Sequence, residues 1–175
     1  MSDIEIVPMV ESDLPVLLDW AEDEKTLIQW CGPVFDYPLT IEQLQDYFSE
    51  STKPNPQRFI FKAVLADKVC GMSELGAVNI KNETGSLCRI FVDKSYRGKG
   101  IAELMIREVL EFGFEKLNLI RIELNVYSYN TPAIKCYEKL GFKYEGLRRK
   151  STKYLNEYWD SCYYALLKDE RKISE

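Results

Sequence analysis

"YRGKGIAELMI", residues 96–106, sets two glycines around a lysine and then runs straight into an apolar pattern of helical period. Glycine is a poor residue with which to begin a helix, so two of them beside two cations need a reason. Without a Cβ, their backbone N–H groups can approach a ligand closely. At a helix start those groups have no internal partner, and the helix dipole adds partial positive charge. Phosphate binds well in such a place, and Arg97 and Lys99 add charge to it.

Three phosphate-binding patterns compete for this turn. A nucleotide P-loop needs Gly-Lys followed by Ser or Thr, but here Lys99 lies between the glycines and Ile101 follows Gly100. The dinucleotide fingerprint Gly-x-Gly-x-x-Gly has Glu103 where its third glycine belongs. The third pattern, Gln/Arg-x-x-Gly-x-Gly/Ala, is met by Arg97, Gly100 and Ala102. The strand "RIFVD" precedes it, and "NTPAIKCYEKLGF" (130–142) follows as Asn-x-x-Ala-x-x-x-Tyr-x-x-x-Gly-Phe. With these blocks in register over about 86–145, the chain resembles the GCN5-related N-acetyltransferase (GNAT) family. The tail "YWDSCYYALLKDE" also resembles, loosely, the subgroup that acetylates ribosomal-protein N-termini.

Composition is that of an ordinary globular chain rather than a disordered one. The chain has 175 residues, a length expected to form a single domain over 1–175. Its hydrophobic fraction is 46% and its charged fraction 29%. A net charge of −5 argues against a nucleic-acid partner, which calls for a basic face. No apolar run reaches about 18 residues and no export signal opens the chain, so no membrane partner is expected and a cytoplasmic location is. Five scattered cysteines lack zinc or redox spacing and read as free thiols; no metal is expected. There is no histidine, which removes the usual triads and the usual general base.

Along the chain, "IEIVPM" (4–9) alternates as a strand, and Ser12 and Asp13 offer caps for a helix carrying Leu14, Leu17 and Trp20. "WCGPVFDYPLT" (30–40) reads as an aromatic loop, and Thr40 with Gln43 as a capping box for a helix over about 41–48. A hairpin about Asp67-Lys68, a turn at 82–85, a strand at 86–93, a helix from 101 to about 116 and a strand at 121–126 follow. A helix capped by Thr131 with Pro132 first, then strands near 142–150 and 158–167, complete the order. The result is an α+β fold. With the resemblance, it becomes a GNAT-like central mixed, mostly antiparallel twisted sheet of about six or seven strands flanked by about four helices.

The resemblance implies an acetyl-CoA-dependent N-acetyltransferase in which a primary amine, of a protein N-terminus or a small molecule, attacks the thioester directly. The pyrophosphate would sit on the turn formed by Arg97, Gly98, Lys99, Gly100, Ile101, Ala102 and Glu103. The pantetheine arm would pair with the backbone of Ile90, Phe91 and Val92 as an added strand, with Asn130 holding an amide. Tyr137 occupies the position of the acid that protonates the leaving thiolate. On periodicity alone, Tyr137 reads instead as packing beside Ala133, Ile134 and Leu140.

The family's glutamate bases do not carry over: their two positions are Asn125 and Ser86. Glu123, on the strand face of Asn125, and Glu74 on the neighbouring hairpin could activate a water, or serve in salt bridges. An α-amine, with pKa of about 7.7–8.0, needs little help from a base. The rival reading is a module that binds CoA as a sensor without turnover. A monomer or a homodimer is expected.

Overall fold

The computed structural model describes Ile4–Arg171. Seven strands form one sheet in the order β1-β2-β3-β4-β5-β7-β6. They are β1 (Glu5–Pro8), β2 (Phe59–Leu65), β3 (Lys68–Asn79), β4 (Thr84–Val92), β5 (Arg121–Tyr127), β6 (Lys143–Tyr154) and β7 (Glu157–Leu167). Every pairing is antiparallel except β4–β5. The helices are α1 (Pro15–Trp20), α2 (Glu24–Cys31), α3 (Ile41–Ser49), α4 (Ile101–Glu111) and α5 (Thr131–Lys139). The mixed, mostly antiparallel sheet expected from the sequence is thus observed, with one helix more than the four anticipated.

Strand alternation supplies both faces of the sheet. Phe61 and Ala63 of β2 meet the face carrying α4, whose Met105, Ile106 and Val109 are buried to 1% exposure or less. Ile60 turns the other way, to a cluster with Leu14, Leu17 and Trp20 around α1 and with Leu44 and Phe48 of α3. Burying a side chain of that size contributes about 1.5–3 kcal/mol, so these two layers hold the sheet between helices.

The additional helix, α2, lies partly in the stretch read as loop. Asp23 caps it by accepting a hydrogen bond from the Thr26 N–H at 2.7 Å, and Leu27 and Cys31 are its buried side. Other caps also differ from expectation. Asp13 does not cap α1; it accepts from Val10 N and pairs with Lys62. Thr40 caps α3, but Gln43 turns away and ties its amide to Asp36 and Pro38, fastening the aromatic loop. Asn130 rather than Thr131 caps α5, accepting from Ala133 N at 3.4 Å.

Two features of β4 shape the centre of the molecule. Met72 pairs with Phe91 and Glu74 with Cys88, so Ser73 alone opposes both Arg89 and Ile90. This is a β-bulge, with Arg89 in the left-handed region at φ 51°. On its other edge β4 pairs with β5 only through Thr84, Gly85 and Ser86. Beyond Ser86 the two strands splay.

Candidate active site

The splay opens a cleft of two lobes. The larger, about 700 Å³, lies between the free edge of β4 at Ile90–Val92, the turn before α4 and the start of α5. The smaller, about 410 Å³, lies between α2, β4, β5 and β6. Gln29, Trp30, Ile90, Asn130 and Tyr137 line both, and so mark their junction.

The floor of the larger lobe is the glycine turn. Asp93 ends β4 and accepts from Ser95 N at 2.7 Å and from the Trp20 indole. Burial opposes ionisation of Asp93, but these hydrogen bonds prevail and hold its carboxyl below the usual range. Gly98 and Gly100 both have positive φ, 76° and 77°, which is why glycine stands at each. The first bond into α4 runs from Leu104 N to Gly100 O at 3.1 Å. The N–H groups of Ile101, Ala102 and Glu103 therefore have no intrahelical acceptor at the end of the lobe.

Side chains around the turn differ in their use. Arg97 donates from Nε to Val92 O at 3.0 Å, lies over Phe91 and lines the lobe. Lys99, expected to face the anion, lies over the Tyr96 ring and does not line the lobe. The Glu103 carboxylate is held by Lys139 and Arg107, which lower its pKa and clamp α4 to α5. Only its backbone N–H is free for an anion.

Tyr137 projects from α5 to the junction. Its ring packs edge-on against Phe142 at 5.9 Å, and its hydroxyl has no hydrogen-bond partner among the described residues. Burial, with Cys136 and Cys88 nearby, pushes the phenol well above its ordinary pKa. It is therefore a proton donor throughout the neutral range.

The second lobe is walled by α2, whose Trp30 donates to the Arg89 carbonyl at 3.2 Å and packs with Trp20 and Phe91. Asn125 and Ser86 line it. Glu123 does not: its carboxylate is taken by the Tyr163 hydroxyl and Arg121, which also binds Glu145. Glu123 pairs with Ser86, the last residue of β4 still joined to β5, so it stands at the closed end of the splay and outside the lobe. Glu74 is 1% exposed and is spent on Tyr47 and Arg89. Neither glutamate is placed to meet an amine in the lobe. The Tyr47–Glu74–Arg89 network was not visible in the sequence, because the bulge that brings Arg89 to Glu74 has no local signature.

The model of the Acetyltransferase (GNAT) family matches residues 16–142. The SPbeta prophage-derived uncharacterized N-acetyltransferase YokL of Bacillus subtilis is 34% identical over 140 residues, 79% of this chain and 77% of that protein. The L-amino acid N-acetyltransferase AaaT of Escherichia coli is 40% identical over 79 residues, 45% of this chain and 49% of that one. In fold, the crystal structure of spermidine N-acetyltransferase from Vibrio cholerae in complex with CoA and spermine superposes with a TM-score of 0.83. It covers 95% of this chain and 96% of its own, at 21% identity.

Proposed function

The chain belongs to the acetyltransferase (GNAT) family, and from that membership we propose how its cleft moves an acetyl group from acetyl-CoA to a primary amine. The protein is an acetyl-CoA-dependent N-acetyltransferase. The larger lobe takes the cofactor. Its pyrophosphate rests on the N–H groups of Gly98 and Gly100 to Glu103, with Arg97 beside them. Lys99 contributes long-range charge only. The pantetheine arm pairs along Ile90, Phe91 and Val92, where β4 has lost its partner strand. Asn130, already using Oδ1 as a cap, has its amide nitrogen left to orient the arm.

The observation that carries this reading is the junction itself. A thioester lying along β4 reaches the one place where both lobes meet, and Tyr137 stands there. The amine nitrogen attacks the carbonyl carbon, the C–S bond breaks, and the Tyr137 hydroxyl gives its proton to the departing thiolate. Among the described residues no carboxylate lines the second lobe, so the ammonium proton leaves to water before attack, and the proton that the nitrogen sheds as the amide forms returns through water to the Tyr137 oxygen. Five cysteines without a disulfide fit the reducing cytoplasm in which we place the protein. Among the described residues no helix is long and apolar enough to cross a membrane. We assign the active form as a monomer or homodimer.

The test is twofold. Acetyl-CoA should raise thermal stability, by about 2.7 kcal/mol at a hundredfold excess over its dissociation constant, where NADH does less. Incubation with a panel of amines should release CoA and one equivalent of acetylated amine. Stabilisation without release from any amine would mean a sensor module instead.

A further inference from the structure

The second lobe has a charge that the protein as a whole does not. The chain carries net charge −5, yet among the described residues no aspartate or glutamate lines this lobe, and two arginines do. Arg89 is the inner one. Its charge is matched by Glu74 at 3.0 Å, so it adds little net field. Arg148 is the outer one, exposed on β6, with no ion pair or hydrogen bond among the described residues. The other polar groups are neutral, and four of them are engaged with one another. The Tyr127 hydroxyl donates to Thr152 at 3.2 Å, and Ser151 and Ser161 share a hydrogen bond of 2.8 Å. Arg148 is therefore the uncompensated charge of the lobe.

Its position is set by strand register. Tyr127 pairs with Ser161, and Ser161 with Arg148, so the three form one cross-strand row on the face that lines the lobe. Strands lie about 4.8 Å apart, which puts the Arg148 backbone roughly 10 Å from β5. A guanidinium on a long flexible stem covers much of that span. It can receive a carboxylate a few bonds from an amine held at the β4–β5 splay.

We propose that the acceptor is an amino acid, whose amine lies at the junction beside Tyr137 and whose carboxylate is received by Arg148. The proposal rests on the transferase reading above. Acetyl-CoA and the zwitterion give CoA thiol, the N-acetyl amino acid and one proton: the N–C bond forms as C–S breaks. Bidentate pairing of guanidinium with carboxylate fixes which end of the acceptor faces the thioester. A polyamine in the same lobe would bring several ammonium groups to an unpaired arginine with no carboxylate to meet them, which selects against it.

The experiment compares initial rates with acetyl-CoA for amino acids, their carboxamides, spermidine and spermine. The carboxamide has the less basic amine and the larger neutral fraction, so any preference for the acid arises against that bias. We expect kcat/KM for the acid to exceed that of its amide by roughly tenfold to hundredfold, the worth of a charge-assisted hydrogen bond. Arg148→Gln should remove the preference with the KM for acetyl-CoA unchanged, and Arg148→Lys should restore part of it. Equal use of acid and amide, a preference for spermidine, or discrimination surviving in Arg148→Gln would overturn the proposal and leave the transferase standing. CoA release from no amine at all would overturn both.

Discussion

Replacing Tyr137 by Phe isolates one oxygen atom. The ring keeps its edge-on contact with Phe142, and the lost hydroxyl had no protein partner to strand. The stability change should therefore stay within about 0.5 kcal/mol, as for substitutions that disturb neither core nor hydrogen bonds. The catalytic effect should be large. A positioned general acid contributes about 10²–10⁴-fold, or roughly 2.7–5.4 kcal/mol of barrier. The assay is single-turnover acetyl transfer from a preformed complex with acetyl-CoA, quenched and read by mass spectrometry, so that product release does not enter. Acetyl-CoA affinity and melting temperature should be nearly those of the wild type. The pH profile adds an independent check. Burial raises the phenol, so it stays protonated below its unfolded value of about 10, and the wild-type rate should show no falling limb from Tyr137 in the neutral range. With no carboxylate lining the second lobe among the described residues, kcat/KM should rise about tenfold per pH unit up to the pKa of the acceptor amine itself. Full single-turnover rate in Tyr137→Phe would refute the assignment of the acid.

Gly100→Val should lose most acetyl-CoA affinity by calorimetry, because φ 77° excludes a β-branched residue from the turn that presents the α4 N–H groups. Circular dichroism should stay near that of the wild type, and unchanged affinity would show that the turn does not touch the cofactor. Glu74→Gln should lower the denaturant midpoint by an amount worth about 3–5 kcal/mol, since it leaves Arg89 buried without its counter-charge. An unchanged midpoint would show that water or another group already neutralises Arg89.

What the sequence revealed and what it hid divide by range. The β4–turn–α4 segment and α5 are legible because their determinants are local: glycines that need positive φ and Pro132 in the first turn, although the cap of α5 falls on Asn130, one residue before the Thr131 expected. Tyr137 follows from its place in that second block. The helix α2 carries only two buried residues, Leu27 and Cys31, too few for a periodic signal. Its cap at Asp23 with Thr26 was nevertheless readable. Glu123 looked available because Tyr163 reaches it only once β5 and β7 pair. The bulge at Arg89 is set by how β3 and β4 register, so neither the Glu74 network nor the polarity of the second lobe could be read along the chain.

The splay between β4 and β5 has a consequence for the resting protein. An unpaired strand edge ordinarily invites another chain, and proteins cover or charge such edges to stay monomeric. Here the open edge at Ile90–Val92 lies inside the sheet, flanked by β5 on one side and roofed by α4 and α5. The fold thus keeps a permanent vacancy in its own hydrogen-bond ladder without becoming adhesive. Amide exchange at Ile90 and Val92, which alternate with Phe91 toward the open edge, would then act as a gauge of how much acetyl-CoA surrounds the enzyme.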